Sequence, residues 1–308
     1  MVSSINSVEE EVLSQPDTLD KEIRRPVPER LAPGTVIVGA GDSYAAGVCA
    51  SQLASLRFPV SDPLSLLDMR DLGERDLCIV SVSGRTRTNI EVAKMARRTG
   101  RAVTVVSSFR DSPLACLADR VIELPFRPAP KSPGMLSFSL TLLALLRMTS
   151  PQFRCDFQRA LSVAGNPSRS FRVSERGTTF ILANWASYGV AVYGSAKVYE
   201  VLGSKAQPEE LEQFGHMEIF SLTKQDSVNV ISGLGSRKAA LRLHRQLGEH
   251  GFSSSEVRMN RGNISERLFA SVFALQLAVL REAKRLGLKR PAFLGSRAAL
   301  AVSDSVIY

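Results

Sequence analysis

Aromatic residues are scarce, 6% of 308 with one tryptophan, and no RNA-binding aromatic signature or zinc-finger spacing accompanies the basic residues. Cysteine is sparse too. Cys49, Cys78, Cys116 and Cys155 lie far apart, three of them inside apolar runs, which excludes a disulfide framework or a clustered metal site and reads as reduced, buried thiols. No long membrane-type run is present: residues 177–196 carry no charge, but Thr178, Asn184, Gly189 and Gly194 break them into strand, loop and helix. The acidic start, with Glu9, Glu10 and Glu11, has neither the basic nor the apolar region of a signal peptide. A cytoplasmic location is expected.

What is present is an ordinary globular composition, 44% hydrophobic and 22% charged, long enough for two medium domains. The net charge of +9 favours anionic partners. Residues 235–300 hold thirteen Arg and Lys against four Asp and Glu, so the excess sits there. The plain reading is a solvated basic surface; nucleic-acid binding ranks lowest among the functions considered.

After an acidic helical arm (Val8 to Arg24) and a Pro-rich link, short apolar runs alternate with helical ones. Thr35–Val38, Leu77–Val80, Ala102–Val106 and Val121–Leu124 read as strands; Ser43–Leu56 and Thr88–Arg98 read as helices. This is an α/β pattern, a doubly wound parallel sheet covered by helices. Thr35-Val-Ile-Val-Gly-Ala-Gly-Asp-Ser-Tyr44 aligns with Thr179-Phe-Ile-Leu-Ala-Asn-Trp-Ala-Ser-Tyr188 at an offset of 144, sharing Thr, Ile, Ser and Tyr. Internal duplication explains this, although α/β units also resemble one another by construction. The expected organisation is an arm over 1–33, a first domain over 34–165 and a second over 166–308 with a C-terminal tail, the boundary falling in a turn at Gly165-Asn-Pro-Ser168.

Two strand ends could carry chemistry. Ser81-Val-Ser-Gly-Arg-Thr86 offers three hydroxyls and a turn glycine in front of a helix N-terminus, a cradle for phosphate. In Gly39-Ala-Gly-Asp-Ser43, Gly41 lets the backbone approach a ligand and Ser43 adds a hydroxyl. Neither loop fits the dinucleotide or P-loop pattern. The plainer alternative for Ser81 to Thr86 is a capped helix start, in which Ser83 or Thr86 accepts a backbone N–H. Both loops, however, lie where ligands sit in open α/β sheets. His216 and Glu200 are weak candidates on residue type alone.

These residues together resemble the sugar isomerase (SIS) domain family, in particular its double-domain members. Glu10-Glu-Val-Leu-Ser-Gln-Pro16 is similar to the family's lead-in arm and Gly39-Ala-Gly-Asp-Ser-Tyr44 to its first loop. Ser81-Val-Ser-Gly-Arg-Thr86, with Ser112-Pro-Leu-Ala115 and Ala118-Asp119 downstream, resembles its phosphate loop. Ser195-Ala-Lys-Val-Tyr-Glu200, sixteen residues before His216, matches its catalytic glutamate and histidine spacing.

The resemblance implies that Gly41, Ser43, Ser81, Val82, Ser83 and Thr86 hold a phosphorylated sugar, that Glu200 is the base moving a proton between C1 and C2, and that His216 opens the ring. It implies a homodimer and neither cofactor nor metal. The expected activity is aldose–ketose isomerisation or deamination of a hexose or hexosamine 6-phosphate; the alternative is a non-catalytic phosphosugar sensor. Departures from the pattern favour the alternative: Arg85 replaces an acid, Met217-Glu218 follows the histidine, Pro133-Gly-Met-Leu136 replaces a Ser-Thr-Lys stretch, and Val302 in Leu300-Ala-Val-Ser303 replaces a lysine. No glutamine-hydrolysing domain is expected ahead of the chain. Lys131, Lys197 and Lys205 are the candidates to replace that lysine, and Glu212 and Glu218 are rival bases.

Overall fold

The structure, a computed structural model, describes residues 3–69, 73–129, 131–150, 152–235 and 237–308. In chain order the elements are α1 (Ile5–Ile23), β1 (Val36–Val38), α2 (Asp42–Leu53), β2 (Val60–Ser61), α3 (Pro63–Met69), β3 (Leu77–Val80), α4 (Arg87–Arg98), β4 (Val103–Ser107) and β5 (Arg120–Glu123). There follow α5 (Met135–Thr149), α6 (Phe157–Ser170), β6 (Thr179–Leu182), α7 (Ala186–Lys197), β7 (Ala206–Glu209), α8 (Leu211–His216), β8 (Ser227–Ser232), α9 (Arg237–Glu249), β9 (Ser253–Arg258), α10 (Ile264–Arg285) and α11 (Arg297–Ile307).

The strands form two all-parallel sheets, ordered β2-β1-β3-β4-β5 and β7-β6-β8-β9. The expected α/β class with two doubly wound sheets is therefore present. Strands such as Leu77-Cys-Ile-Val80 and Thr179-Phe-Ile-Leu182 are apolar along most of their length because both of their faces are buried. In the first sheet Val38, Ile79 and Val105 pack under Val92 and Ala96 of α4. In the second, Leu182, Val228 and Val230 pack with Phe214, Ala240 and Leu247.

The two compact units are discontinuous in sequence. One comprises Met1–Asp20, Pro130–Met135 and Arg154–Ser296 and contains the second sheet; the other comprises Lys21–Ala129, Leu136–Phe153 and Arg297–Tyr308 and contains the first. The turn expected at Gly165-Asn-Pro-Ser168 is instead the interior of α6, where Ala164 and Ser168 are buried. Turn-forming residues were outweighed by the burial of one helical face, together with the Asp156 cap, which accepts the Arg159 N–H at 2.9 Å. The C-terminal tail expected to belong to the second domain is α11, assigned with the first sheet, and none of its residues is buried.

The expected helical arm is α1, and it is part of a core rather than a free extension. Gln15 is fully buried and donates to Gln276 Oε1 on α10 at 3.0 Å, while Glu9 pairs with Lys284 at 2.5 Å. The α10 helix is the spine of this unit. It starts on a capping box in which Asn263 accepts the Glu266 N–H at 2.9 Å and Glu266 accepts the Asn263 N–H at 3.0 Å. Phe269 then meets Phe157 of α6 edge to face, ring centroids 4.8 Å apart. Asp226 ties down the strand entrances of the second sheet. Its carboxylate is pushed up by burial, but N–H donation from Thr178 and both donors of Thr223 outweigh this and hold it below the usual aspartate range. Among the described residues no helix is long and apolar enough to cross a membrane.

The cysteines correct the sequence expectation in part. Cys49 and Cys78 are buried, with the Cys78 thiol pushed up to about 12 by burial, whereas Cys155 is half-buried and Cys116 exposed. Because the thiolate is the reactive form, Ellman's reagent at pH 8 is expected to modify Cys116 in a fast phase that Cys116→Ser abolishes. Equally fast reaction of Cys49 or Cys78 in the native protein would contradict the burial of those strands and helices.

Candidate functional site

In the first sheet the order β2-β1-β3 makes the chain leave β1 toward one neighbour and return through the other, so the crevice between the ends of β1 and β3 is a topological switch point. Both candidate loops sit there. After β1, Gly41 has φ 55° and ψ −126° and starts α2 without a side-chain cap. At Gly39 a Cβ would lie 2.9 Å from the backbone carbon of Ser43, so the first turn of α2 is drawn tight against the strand end. Ser43 is buried in that turn.

After β3, the loop bends at Gly84, with φ 62°. The Gly84 N–H donates to Ser81 Oγ at 3.2 Å, and Ser81 and Thr86 share a hydroxyl hydrogen bond at 3.3 Å. Behind the loop, the Ser108 N–H donates to the Val82 carbonyl at 3.0 Å and the Leu114 N–H to the Gly84 carbonyl at 3.1 Å. The carbonyls are thus turned inward to β4 and the segment after it. The N–H groups of Val82 and Ser83, by contrast, have no acceptor among the described residues. Thr86 occupies the N-cap of α4 yet makes no capping bond, while Ser83 Oγ accepts the Arg85 N–H at 3.3 Å. The capped-start reading therefore holds for Ser83 within the loop but not for Thr86. What remains is a set of hydroxyls and N–H groups at the positive end of a twelve-residue helix, a chemistry suited to a phosphate dianion. Arg85 is exposed beside it.

In the unit of the second sheet, α7 does not end where its sequence suggests. It passes at Val198 into a π-helical turn, Val198–Leu202, closed by Gly203 in the left-handed region. Such turns widen the helix and re-aim side chains. This one carries Glu200, whose side chain is 37% exposed, next to Lys197, whose side chain is 1% exposed. Lys197 Nζ lies 2.6 Å from Glu200 Oε2, also donates to the Pro133 carbonyl, and sits 5.1 Å from the centre of the Tyr193 ring. The Tyr193 hydroxyl in turn accepts from Gln276 Nε2 at 2.9 Å and lies 3.2 Å from Met135 Sδ.

The sequence candidates differ in their surroundings. Of the three lysines considered, Lys197 contacts Glu200, while Lys131 and Lys205 are exposed. Among the rival carboxylates, Glu212 is 85% exposed and bonded to His216 at 3.3 Å, and Glu218 accepts from Gln207 at 3.1 Å. His216 is itself 73% exposed at the end of α8. Val302, where the resemblance calls for a lysine, is exposed on α11. Sequence reasoning missed the Pro133 carbonyl and the Tyr193–Gln276–Gln15 chain behind the lysine, for no local pattern joins residues so far apart. The lysine's own signal was present, a Lys three residues before a Glu on one helical face.

The pair of parallel α/β sheets is a sugar-isomerase-type fold, shared with solved structures of sugar-phosphate enzymes. The chain superposes on glucosamine-6-phosphate deaminase from Thermotoga maritima with a TM-score of 0.75 and 17% identity, over 92% of this chain and 95% of that one. It superposes on tagatose-6-phosphate ketose/aldose isomerase from Escherichia coli with a TM-score of 0.72 and 15% identity, over 91% and 93%. For the C-terminal domain of glucosamine-fructose-6-phosphate aminotransferase from Francisella tularensis the values are 0.69 and 16%, over 92% and 98%. No family model matches the chain. An uncharacterized protein of Aeropyrum pernix is 33% identical over 125 residues, which is 40% of this chain and spans 58% of that relative's length.

The loop geometry generates a direct prediction. A Cβ on Gly84 would lie 2.0 Å from Ser112 Oγ and demand a left-handed backbone from a residue with a side chain. Gly84→Ala is expected to lower stability by roughly 2 kcal/mol, measured by urea unfolding. An alanine variant as stable as the parent would mean that the loop does not hold this conformation.

Proposed function

We propose that the chain is a sugar-phosphate isomerase or amino-sugar-phosphate deaminase. The observation that carries this reading is the half-exposed Glu200 carboxylate held at 2.6 Å by the buried Lys197 ammonium. A base that takes a proton from carbon must carry its negative charge and keep a fixed aim. Lys197 supplies a counter-charge and holds Oε2, which fixes the aim of the carboxylate. The loop Ser81 to Thr86, with Gly41 and Ser43, would anchor the 6-phosphate through hydroxyls and N–H groups, so that binding energy far from the reacting carbons orients them.

In this reading Glu200 takes the C2 proton of the open-chain aldose as the C1 carbonyl oxygen gains one, and the resulting cis-enediol is reprotonated at C1 by Glu200 while its C2 hydroxyl gives up its proton to leave the ketose carbonyl. For an amino sugar the same transfer yields a C2 imine, which water hydrolyses with release of ammonia. His216 would serve ring opening. Its exposure, together with that of Phe220 at 84% in the following turn, supports a homodimer in which this segment works at the site of a second copy. The neighbours of known structure, deaminase and isomerase alike, support the sugar-phosphate class. Internal duplication is supported by the matched corners: Trp185, offset by 144 from Gly41, has nearly the same φ and ψ, 54° and −142°.

The test is solvent-deuterium exchange followed by NMR, at C1 of fructose 6-phosphate and at C2 of glucose, mannose and glucosamine 6-phosphates. Exchange into one of them is expected, reduced at least 1000-fold in Glu200→Gln while binding of the phosphate ester survives. Full exchange in Glu200→Gln would remove Glu200 from the role. Binding with no exchange in the parent protein would make the chain a phosphosugar sensor instead.

A further inference from the structure

A cavity of about 400 Å3 opens between α6 and the C-terminal end of β9, inside the unit of the second sheet. Its volume suits a small metabolite. It contains none of the residues assigned above to phosphate binding or proton transfer.

Its walls are built from two rigid elements. On α6, Asn166 and Ser170 lie one turn apart on the same face. Pro167 beside them has no N–H for the Val163 carbonyl four residues back, so a backbone acceptor without its helical partner also lines the wall. The opposite wall starts at Glu256 and Arg258 on β9, where Arg258 pairs in register with Ser232 at the last rung of the sheet. The chain then turns through Asn260 and Arg261 into the Asn263 cap of α10. This turn is fixed. The Met259 N–H donates to the Ser232 carbonyl at 2.8 Å, and Gly233 lies so close that a Cβ on it would fall 1.7 Å from the Met259 carbonyl oxygen.

The charges on this frame are unspent. Arg258 and Arg261, both exposed, have neither an ion pair nor a side-chain hydrogen bond among the described residues. Glu256 accepts from the buried Ser232 hydroxyl, which fixes one carboxylate oxygen and leaves the other for a ligand. Two guanidinium groups match the geometry of a phosphate dianion, and the carboxamides of Asn166 and Asn260 with the Glu256 carboxylate match hydroxyl groups.

We propose that this cavity is a second anion site, taking a small polyhydroxylated phosphate monoester. It stands on the two arginines and their frame and does not depend on the function assigned to Glu200.

Calorimetric titration of the full chain with glucose 6-phosphate, and separately with inorganic phosphate, tests it. Arg258→Ala/Arg261→Ala is expected to weaken one class of glucose 6-phosphate site at least 10-fold, and Asn166→Trp, which fills the cavity without changing charge, to do the same. Ser83→Ala/Thr86→Ala should leave that class intact. All of the substituted side chains except Thr86 and Ser83 are exposed, so melting temperatures of the cavity variants should match the parent. Inorganic phosphate should bind more weakly than the ester, because it cannot use the carboxamides. Unchanged titration in both cavity variants, or no binding of glucose 6-phosphate that survives Ser83→Ala/Thr86→Ala, overturns the proposal. Loss of the first-sheet class alone would instead bear on the isomerase reading.

Discussion

The ammonium of Lys197 is held inside the unit of the second sheet, fully shielded from water, and taking such a charge out of water costs several kcal/mol unless partners surround it. Three partners do: the Glu200 carboxylate, the Pro133 carbonyl and the face of Tyr193. Tyr193 and Glu200 flank the lysine on the helix that runs from α7 into the π-helical turn, and Pro133 comes from the connecting segment before α5. Tyr193 is held by Gln276 of α10, Gln276 by Gln15 of α1, and Glu200 by the π-helical turn. A helix of ordinary pitch would place residue 200 elsewhere on the surface of α7. One buried charge thus explains why an N-terminal helix, a mid-chain connecting segment and the spine helix α10 belong to one compact unit.

The first sheet rests on a different constraint, the winding of parallel strands. Because β1 and β3 are neighbours whose connections leave in opposite directions, their following loops open onto one crevice, and α2 and α4 point their N-termini toward it. Gly41 and Gly84 take the two left-handed corners that this geometry requires. The second sheet repeats the winding with β6 and β8, but its first corner is Trp185, packed 3.8 Å from where a Cβ of Gly235 would stand. A bulky residue thus takes the strained backbone that glycine takes in the first sheet. The two sheets share a topology and differ in what their switch points can accept.

Most of the first sheet was legible from the sequence, because short Val- and Ile-rich runs bounded by Gly and Ser carry their own boundaries: Leu77–Val80 matches β3 and Thr88–Arg98 falls within α4. The loop Ser81 to Thr86 was legible for the same reason, being contiguous. The division into units was not. Residues such as Gly165 and Pro167 favour a turn locally, and the burial of Ala160, Ala164 and Ser168 on one face overrides them. The exposed Cys116 was misread as buried because neighbouring apolar residues say nothing about which side of a short 3-10 turn a side chain takes. Glu200 could be found only through a family resemblance, since what distinguishes it from a surface glutamate is the burial of Lys197 and a π-helical turn, neither of which has a sequence signature.

The central claim is that Lys197 and Glu200 are energetically one unit. A double-mutant cycle on stability, with Glu200→Gln, Lys197→Met and the pair, all measured by urea unfolding at neutral pH, addresses it most directly. The account predicts that Glu200→Gln costs roughly 3 kcal/mol in the parent, where it strips the buried ammonium of its counter-charge, and less than about 1 kcal/mol once Lys197 is methionine. The same cost in both backgrounds would show that the two side chains ignore each other and would contradict the account.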